Sequence, residues 1–115
     1  MEFEDQKAIY LQIADWMEEQ ILTQKWQDRI PAIREVATDF KVNPNTVARS
    51  YTHLEGQGII NTQRGVGYFV EQDAVEKILK HRKNQFLTKT APEFLRMMRL
   101  LNVNFDDIAK IDGEK

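Results

Sequence analysis

The side chains with the clearest chemistry lie in one run, Asn43-Pro44-Asn45-Thr46-Val47-Ala48-Arg49-Ser50-Tyr51-Thr52-His53-Leu54-Glu55-Gly56-Gln57-Gly58. Asn43 is of a type that caps helix N-termini, and Pro44 suits the first helical position, where a missing N–H costs nothing. Val47, Tyr51 and Leu54 follow helical spacing toward Gly58, which predicts an apolar inner face and a stop at glycine. Asn45 and Arg49 each stand two residues from Val47, about 200° round a helix, and so face outward, with Thr46 beside them. Amides, hydroxyls and a guanidinium at a helix N-terminus pair with phosphates and with base edges in a major groove. Asn43 serves either as a cap alone or as a further contact. Taken alone, the run reads as a capped amphipathic surface helix; its neighbours decide otherwise.

Other chemistry is poorly served. With no cysteine among 115 residues there is neither a disulfide framework nor a thiolate zinc site. His53 and His81 fall on separate elements, and no paired carboxylates sit in an apolar setting, so no catalytic constellation, metal site or cofactor site is expected. Asp106-Asp107 reads as helix-start electrostatics. The beginning, Met1-Glu2-Phe3-Glu4-Asp5, is acidic without an apolar signal region, and no apolar run approaches membrane-spanning length. A cytoplasmic, non-enzymatic protein with no membrane partner is the expectation.

The net charge of −2 disfavours a polyanionic partner only weakly, because the charge is unevenly spread. Residues 1–28 carry seven acids and two bases, whereas residues 29–70 carry five bases and three acids. The acid is concentrated away from the organising run.

The elements that must position that run can be read on either side of it. Residues 8–23 predict a helix with Tyr10, Ile13, Met17 and Ile21 inward and Trp16 near the edge of the stripe. Trp26 follows in a connection and packs down on the core. Ile30 is extended before Pro31, and Ala32–Phe40 is a short helix with Ile33, Val36, Ala37 and Phe40 inward. Lys41-Val42-Asn43 then makes a tight turn, so the second and third helices form a helix-turn-helix. Lys41 stands where glycine would be more comfortable if that turn needs positive φ. After Gly58, two β-rich runs, Ile59–Gln63 and Tyr68–Val70, flank Arg64-Gly65-Val66-Gly67 and read as a hairpin. Its tip, Arg64 with Gly65, suits a minor groove, glycine allowing close backbone approach. The glycines do not make a nucleotide loop, since a third is missing and no helix opens after them.

Four separated motifs now stand in order: Tyr10-Leu11-Gln12-Ile13-Ala14; Asp28-Arg29-Ile30-Pro31-Ala32-Ile33-Arg34-Glu35-Val36-Ala37; Val42 to Arg49; and Gly58-Ile59-Ile60 with Arg64 to Val70. Together they resemble the GntR family of bacterial transcription regulators over roughly residues 8–71. The chain departs at three places: Ala8 for a proline, Trp26-Gln27 for Pro-Gly, and Lys41 for the turn glycine. The resemblance implies a DNA contact for Arg34, whose family counterpart touches DNA. Arg34 joins Asn43, Asn45, Thr46, Arg49, Arg64 and Gly65 as the expected DNA-binding set.

From Asp73 on, Val75, Ile78, Leu79 and Phe86 share a helical stripe, and Thr90-Ala91-Pro92-Glu93 has capping-box spacing with proline in the first turn. That predicts a new helix carrying Phe94, Leu95, Met98 and Leu101, broken at Asn102-Val103-Asn104, with Asn104 capping a last short helix. Seven bases between Lys77 and Arg99 face one acid, Glu93. They form either a solvated face, or a supplementary DNA-backbone patch, or a partner for the acidic first helix across a subunit interface. The apolar stripes are more than such a tail can bury by itself, which makes a second copy the better partner.

The expected fold class is mainly α with a small β-hairpin wing: a winged helix-turn-helix over residues 1–72, then a short helical dimerisation tail over 73–115. The short tail resembles the YtrA-like branch of the family. The expected function is a homodimeric regulator, a repressor, binding a palindromic double-stranded DNA operator. The branch resemblance implies transport genes as targets. A small-molecule effector is unassigned, because the tail is too short to enclose a typical pocket of about 300–1,000 Å³ alone. The rival reading is a winged-helix protein-interaction module without a DNA role.

Overall fold

The computed structural model describes residues 2–113, and the chain divides into two compact units, 1–79 and 80–115. In the first unit the helices are α1 (Ile9–Leu22), α2 (Ile33–Phe40), α3 (Pro44–Gly56) and the start of α4 (Ala74–Gln85). The strands are β1 (Arg29–Ile30), β2 (Ile60–Gln63) and β3 (Gly67–Val70). Ile13, Met17 and Ile21 of α1 meet Val36 and Ala37 of α2 and Val47, Tyr51 and Leu54 of α3 in one buried core, which Ile60, Ala74 and Ile78 complete. The helical spacing that predicted these faces is therefore the spacing that buries them. Trp16 and Trp26 pack edge-to-face at 5.2 Å between ring centroids, and Trp16 meets Phe40 at 4.6 Å.

Two features exceed the expectation. The wing is a three-stranded antiparallel sheet in the order β1-β3-β2, with Arg29 opposite Phe69 and Ile30 opposite Tyr68. The extended residues before Pro31 thus use their free hydrogen-bonding edge on β3. The segment before α1 is also tied down. The buried Gln12 amide donates to the carbonyls of Glu4 (2.8 Å) and Lys7 (2.7 Å) and accepts from the Glu4 N–H at 2.8 Å. Phe3 is thereby laid edge-on against Phe40.

Helix α3 stops at Gly58 (φ 74°), as its spacing predicted, in a Schellman turn: Ile59 N–H donates to Leu54 O and Gly58 N–H to Glu55 O. Helix α2 closes in the same way on Lys41, whose φ of 56° is the left-handed conformation in which a glycine is at ease. Lys77 of α4 lies over Gly58, its Nζ donating to Gly58 O at 3.2 Å and pairing with Asp73 at 3.3 Å.

In the second unit the expected helix start at Thr90 is corrected. Thr90 is helical (φ −70°, ψ −49°) and makes no side-chain cap. A wide π-type turn, Phe86–Thr90, leads directly into α5 (Ala91–Leu101), with Ala91 N–H donating to Phe86 O. Proline at 92 lacks the N–H for an ordinary helical bond and crowds the carbonyl four residues back; a widened turn accommodates both without ending the helix. Glu93, expected to close a capping box, pairs instead with Arg96 at 2.6 Å, which holds its carboxyl below the ordinary range. The break at Asn102 (φ 56°) and the last helix, α6 (Phe105–Gly113), fall where expected. Asn104 Oδ1 accepts from Asp107 N–H and Asp107 Oδ2 from Asn104 N–H, both at 3.0 Å, a reciprocal cap. The stripe proposed for α4 is only partly inward: Ile78 is buried, while Val75, Leu79 and Phe86 are exposed.

Candidate nucleic-acid interface

Helix α3 is fixed from both sides before it presents anything outward. Val47, Ser50, Tyr51 and Leu54 are buried, Ser50 Oγ donates to Tyr10 O at 2.7 Å, and Tyr51 Oη donates to Pro31 O at 2.5 Å. Burial, with the nearby Tyr68 and Glu35, pushes the Tyr51 phenol well above its ordinary range, so it stays a neutral donor. At the N-terminus Asn43 Oδ1 accepts the Asn45 N–H at 2.8 Å, with Pro44 at the first position. The cap is thus present, and among the described residues it leaves the Asn43 amide nitrogen without a partner. Asn43, Asn45 and Arg49 are exposed and Thr46 is half-buried.

Arg34 projects from α2 beside the helix-turn-helix corner. With Thr38, Lys41, Val42 and Pro44 it lines a cleft of about 410 Å³, so Arg34 and the start of α3 share one surface. Two cations, Arg34 and Lys41, flank this cleft, and among the described residues no acid lines it. Arg49 belongs elsewhere. Its guanidinium carbon lies 4.1 Å from the centroid of the Tyr10 ring, which also packs edge-on to His53 at 6.1 Å. Tyr10, Ala48, Arg49, Thr52 and His53 line a second cleft of about 360 Å³.

The wing tip is a short turn closed by Val66 N–H donating to Gln63 O at 2.9 Å. Gly65 sits at φ 77° with open space where a Cβ would stand, and Arg64 beside it is exposed. Thr62 Oγ1 donates to Glu55 Oε2 at 2.7 Å, tying β2 to α3 and engaging an acid of that helix. Arg29 Nη2 donates to Val66 O at 2.7 Å.

Three residues here escaped the sequence reading. Tyr10 falls on the inward stripe by its spacing, yet it is half-buried and carries Arg49. Lys41 reads in the sequence as a strained turn residue, although its charge joins Arg34 at the corner cleft. Arg29 carries no helical or strand periodicity; its sole sequence signal is an arginine beside a short extended run.

A three-helix core with a helix-turn-helix and a three-stranded wing is the arrangement of a winged-helix DNA-binding domain. The family model for bacterial regulatory proteins of the gntR family matches residues 7–70. The chain belongs to the GntR family. The HTH-type regulator YhcF of Bacillus subtilis is 33% identical over 109 residues, 93% of this chain and 88% of its own. The repressor YtrA of the same organism is 44% identical over 68 residues, which cover 57% of this chain and 52% of YtrA. A GntR-family regulator from Bacteroides thetaiotaomicron has a similar structure, with a TM-score of 0.70 at 40% identity over 93% of this chain and 95% of that one. The protein is therefore a GntR-family transcriptional regulator, of a family that binds DNA and is not one of enzymes. Among the described residues no helix is long and apolar enough to cross a membrane, and no group of three or more histidine, aspartate or glutamate side chains is placed to hold a metal ion.

Proposed function

We propose that this GntR-family regulator is a cytoplasmic homodimeric repressor of a palindromic operator, with residues 1–72 contacting DNA and 73–115 pairing the subunits. The observation that carries the DNA reading is the acid-free cleft where Arg34 and Lys41 flank the start of α3. In this reading Arg34 grips phosphate, the Asn43, Asn45 and Thr46 side chains meet the groove at the α3 N-terminus, Arg49 reads a base edge, and Arg64 with Gly65 enters the minor groove. YtrA, a relative over 57% of the chain, is named a repressor, which supports the sign of regulation. Transport genes as targets rest on the branch resemblance alone.

Exposed apolar residues on α5 and α6, among them Leu100, Leu101, Phe105 and Ile111, support pairing with a second copy. A dimer spaces two reading helices about one turn of DNA apart, or a multiple of it. Control is then by abundance, or by an effector at an interface that the second copy completes.

Selection of bound fragments from genomic DNA, then titration of the selected duplex over salt, tests the reading. Log K should fall linearly with log salt, by about 0.9 per phosphate neutralised. Salt-independent or absent binding would favour a protein-interaction module.

A further inference from the structure

We propose that Arg29 is the positioning residue of the wing, holding the tip that carries Arg64 in its DNA-ready geometry without itself reading DNA. The inference rests on the reading that the wing meets DNA. Three observations carry it. The Arg29 guanidinium donates through Nη2 to Val66 O at 2.7 Å, directly beyond Arg64-Gly65. It also lies against Gly67, where an added Cβ would stand 3.3 Å from Nη2 and 3.4 Å from Nε. Beneath the wing, finally, is an open cleft of about 520 Å³ lined by Trp26, Arg29, Pro31, Glu35, Gly67 and Tyr68.

On this side the tip, through Val66 and Gly67, borders an open cleft whose walls also include Trp26, Ile30 and Tyr68. The tip is held by the β2–β3 pairing that ends at Gln63 opposite Gly67, by its own Val66–Gln63 bond and by the Arg29 hydrogen bond to Val66 O. The pairing of β1 with β3, Arg29 opposite Phe69, places the arginine one strand from the segment it holds. A planar guanidinium can lie against Gly67 while donating to the Val66 carbonyl; a lysine ammonium supplies the charge without that planar group. This separates a clamp from a phosphate contact, for which the charge alone would suffice.

The test uses the full chain with Arg29→Ala and Arg29→Lys, each with Arg64 intact and with Arg64→Ala. Operator titrations at several salt concentrations are combined with amide hydrogen exchange at Val66 in the free protein. Arg29 is exposed, so both variants should fold, with melting as the control. With the clamp, Arg29→Ala and Arg29→Lys both weaken operator binding by about fivefold to tenfold. Both speed exchange at Val66, and neither weakens binding further once Arg64 is alanine. Full rescue by lysine, or an equal loss in both Arg64 backgrounds, overturns the inference and makes Arg29 a direct contact. Unchanged exchange at Val66 also overturns it. Wild-type protein that binds no duplex removes the DNA reading itself, an outcome distinct from wild-type binding with additive losses.

Discussion

The two units of this chain handle apolar side chains in opposite ways. In residues 1–79 the large apolar residues at helical spacing converge: Ile13, Met17, Val47, Leu54 and Ile78 are each 0% exposed. In the described part of the second unit only Met98 is buried, while Leu100 is 72%, Phe105 69% and Ile111 70% exposed. Both regions have capped helices with well-formed amphipathic faces, so helix formation is not what separates them. The difference is the supply of partners. Four helices and a sheet give each face of the first unit another face to cover it. The described residues of the second unit give α5 and α6 little such cover, and Leu100, Leu101, Phe105 and Ile111 stay open to solvent.

Removing the second unit should have the largest effect. A chain ending at Leu79 keeps Ala74 and Ile78, which belong to the core, and so should fold. We expect it to sediment as a monomer where the full chain is a dimer. Its operator affinity should fall by about 100-fold or more, the usual gain from linking two binding modules. A shortened chain that still dimerises would move the interface into the winged helix and cancel the comparison.

A matched pair of leucines sharpens it. Leu54→Ala, in the first core, should cost about 2–5 kcal/mol in denaturant unfolding, independently of protein concentration. Leu101→Ala should leave the unfolding of dilute protein nearly unchanged and raise the dimer dissociation constant instead. Concentration-independent destabilisation by Leu101→Ala would mean that its exposed face is already used within the subunit.

What could be read without coordinates follows the same division. The first unit's helices, the turn at Lys41 and the stop at Gly58 were legible because local spacing and the long-range core agree there. Strand β1 was not, since two residues carry no periodicity and their pairing with Tyr68 and Phe69 is a long-range event. Gln12 securing the segment before α1 was hidden for a similar reason: its partners are backbone carbonyls, which leave no trace in side-chain pattern. At Thr90-Ala91-Pro92-Glu93 the pattern misled. A capping box and a π-type turn offer the backbone alternative solutions to the same proline, and composition does not choose between them. For the candidate interface, a helical wheel gave the outward direction of Arg49. Its seat over Tyr10 depends on a neighbouring helix.

That seat makes the readout by the two arginines separable. Arg49→Ala should cost about 1–3 kcal/mol on operator and relax preference at one base pair of each half-site. Arg34→Ala, beside the corner cleft, should weaken operator and scrambled duplex alike and lower the salt slope by about one per contact, hence about two per dimer. Equal losses on both duplexes for Arg49→Ala would make Arg49 a positioning residue held by Tyr10, leaving base reading to Asn45, Thr46 or the wing.

The smallest effect compares two helix ends. Lys41 closes α2 and Asn102 closes α5, each with φ 56°. Left-handed backbone costs most side chains about 1–2 kcal/mol, but asparagine adopts it with local hydrogen bonding. Glycine removes that strain while losing about 0.5–1 kcal/mol to the greater freedom of its unfolded chain. Lys41→Gly should therefore stabilise the first unit by up to about 1.5 kcal/mol, and Asn102→Gly should change stability little or slightly lower it. Lys41→Gly should also weaken duplex binding and reduce the salt slope, because it removes a cation from the Arg34 cleft. A gain in stability with a loss in DNA affinity would explain why a lysine occupies a backbone position suited to glycine. If Lys41→Gly stabilises the protein and leaves the salt slope intact, the charge at this corner lies outside the DNA contact, and Arg34 alone grips the phosphate there.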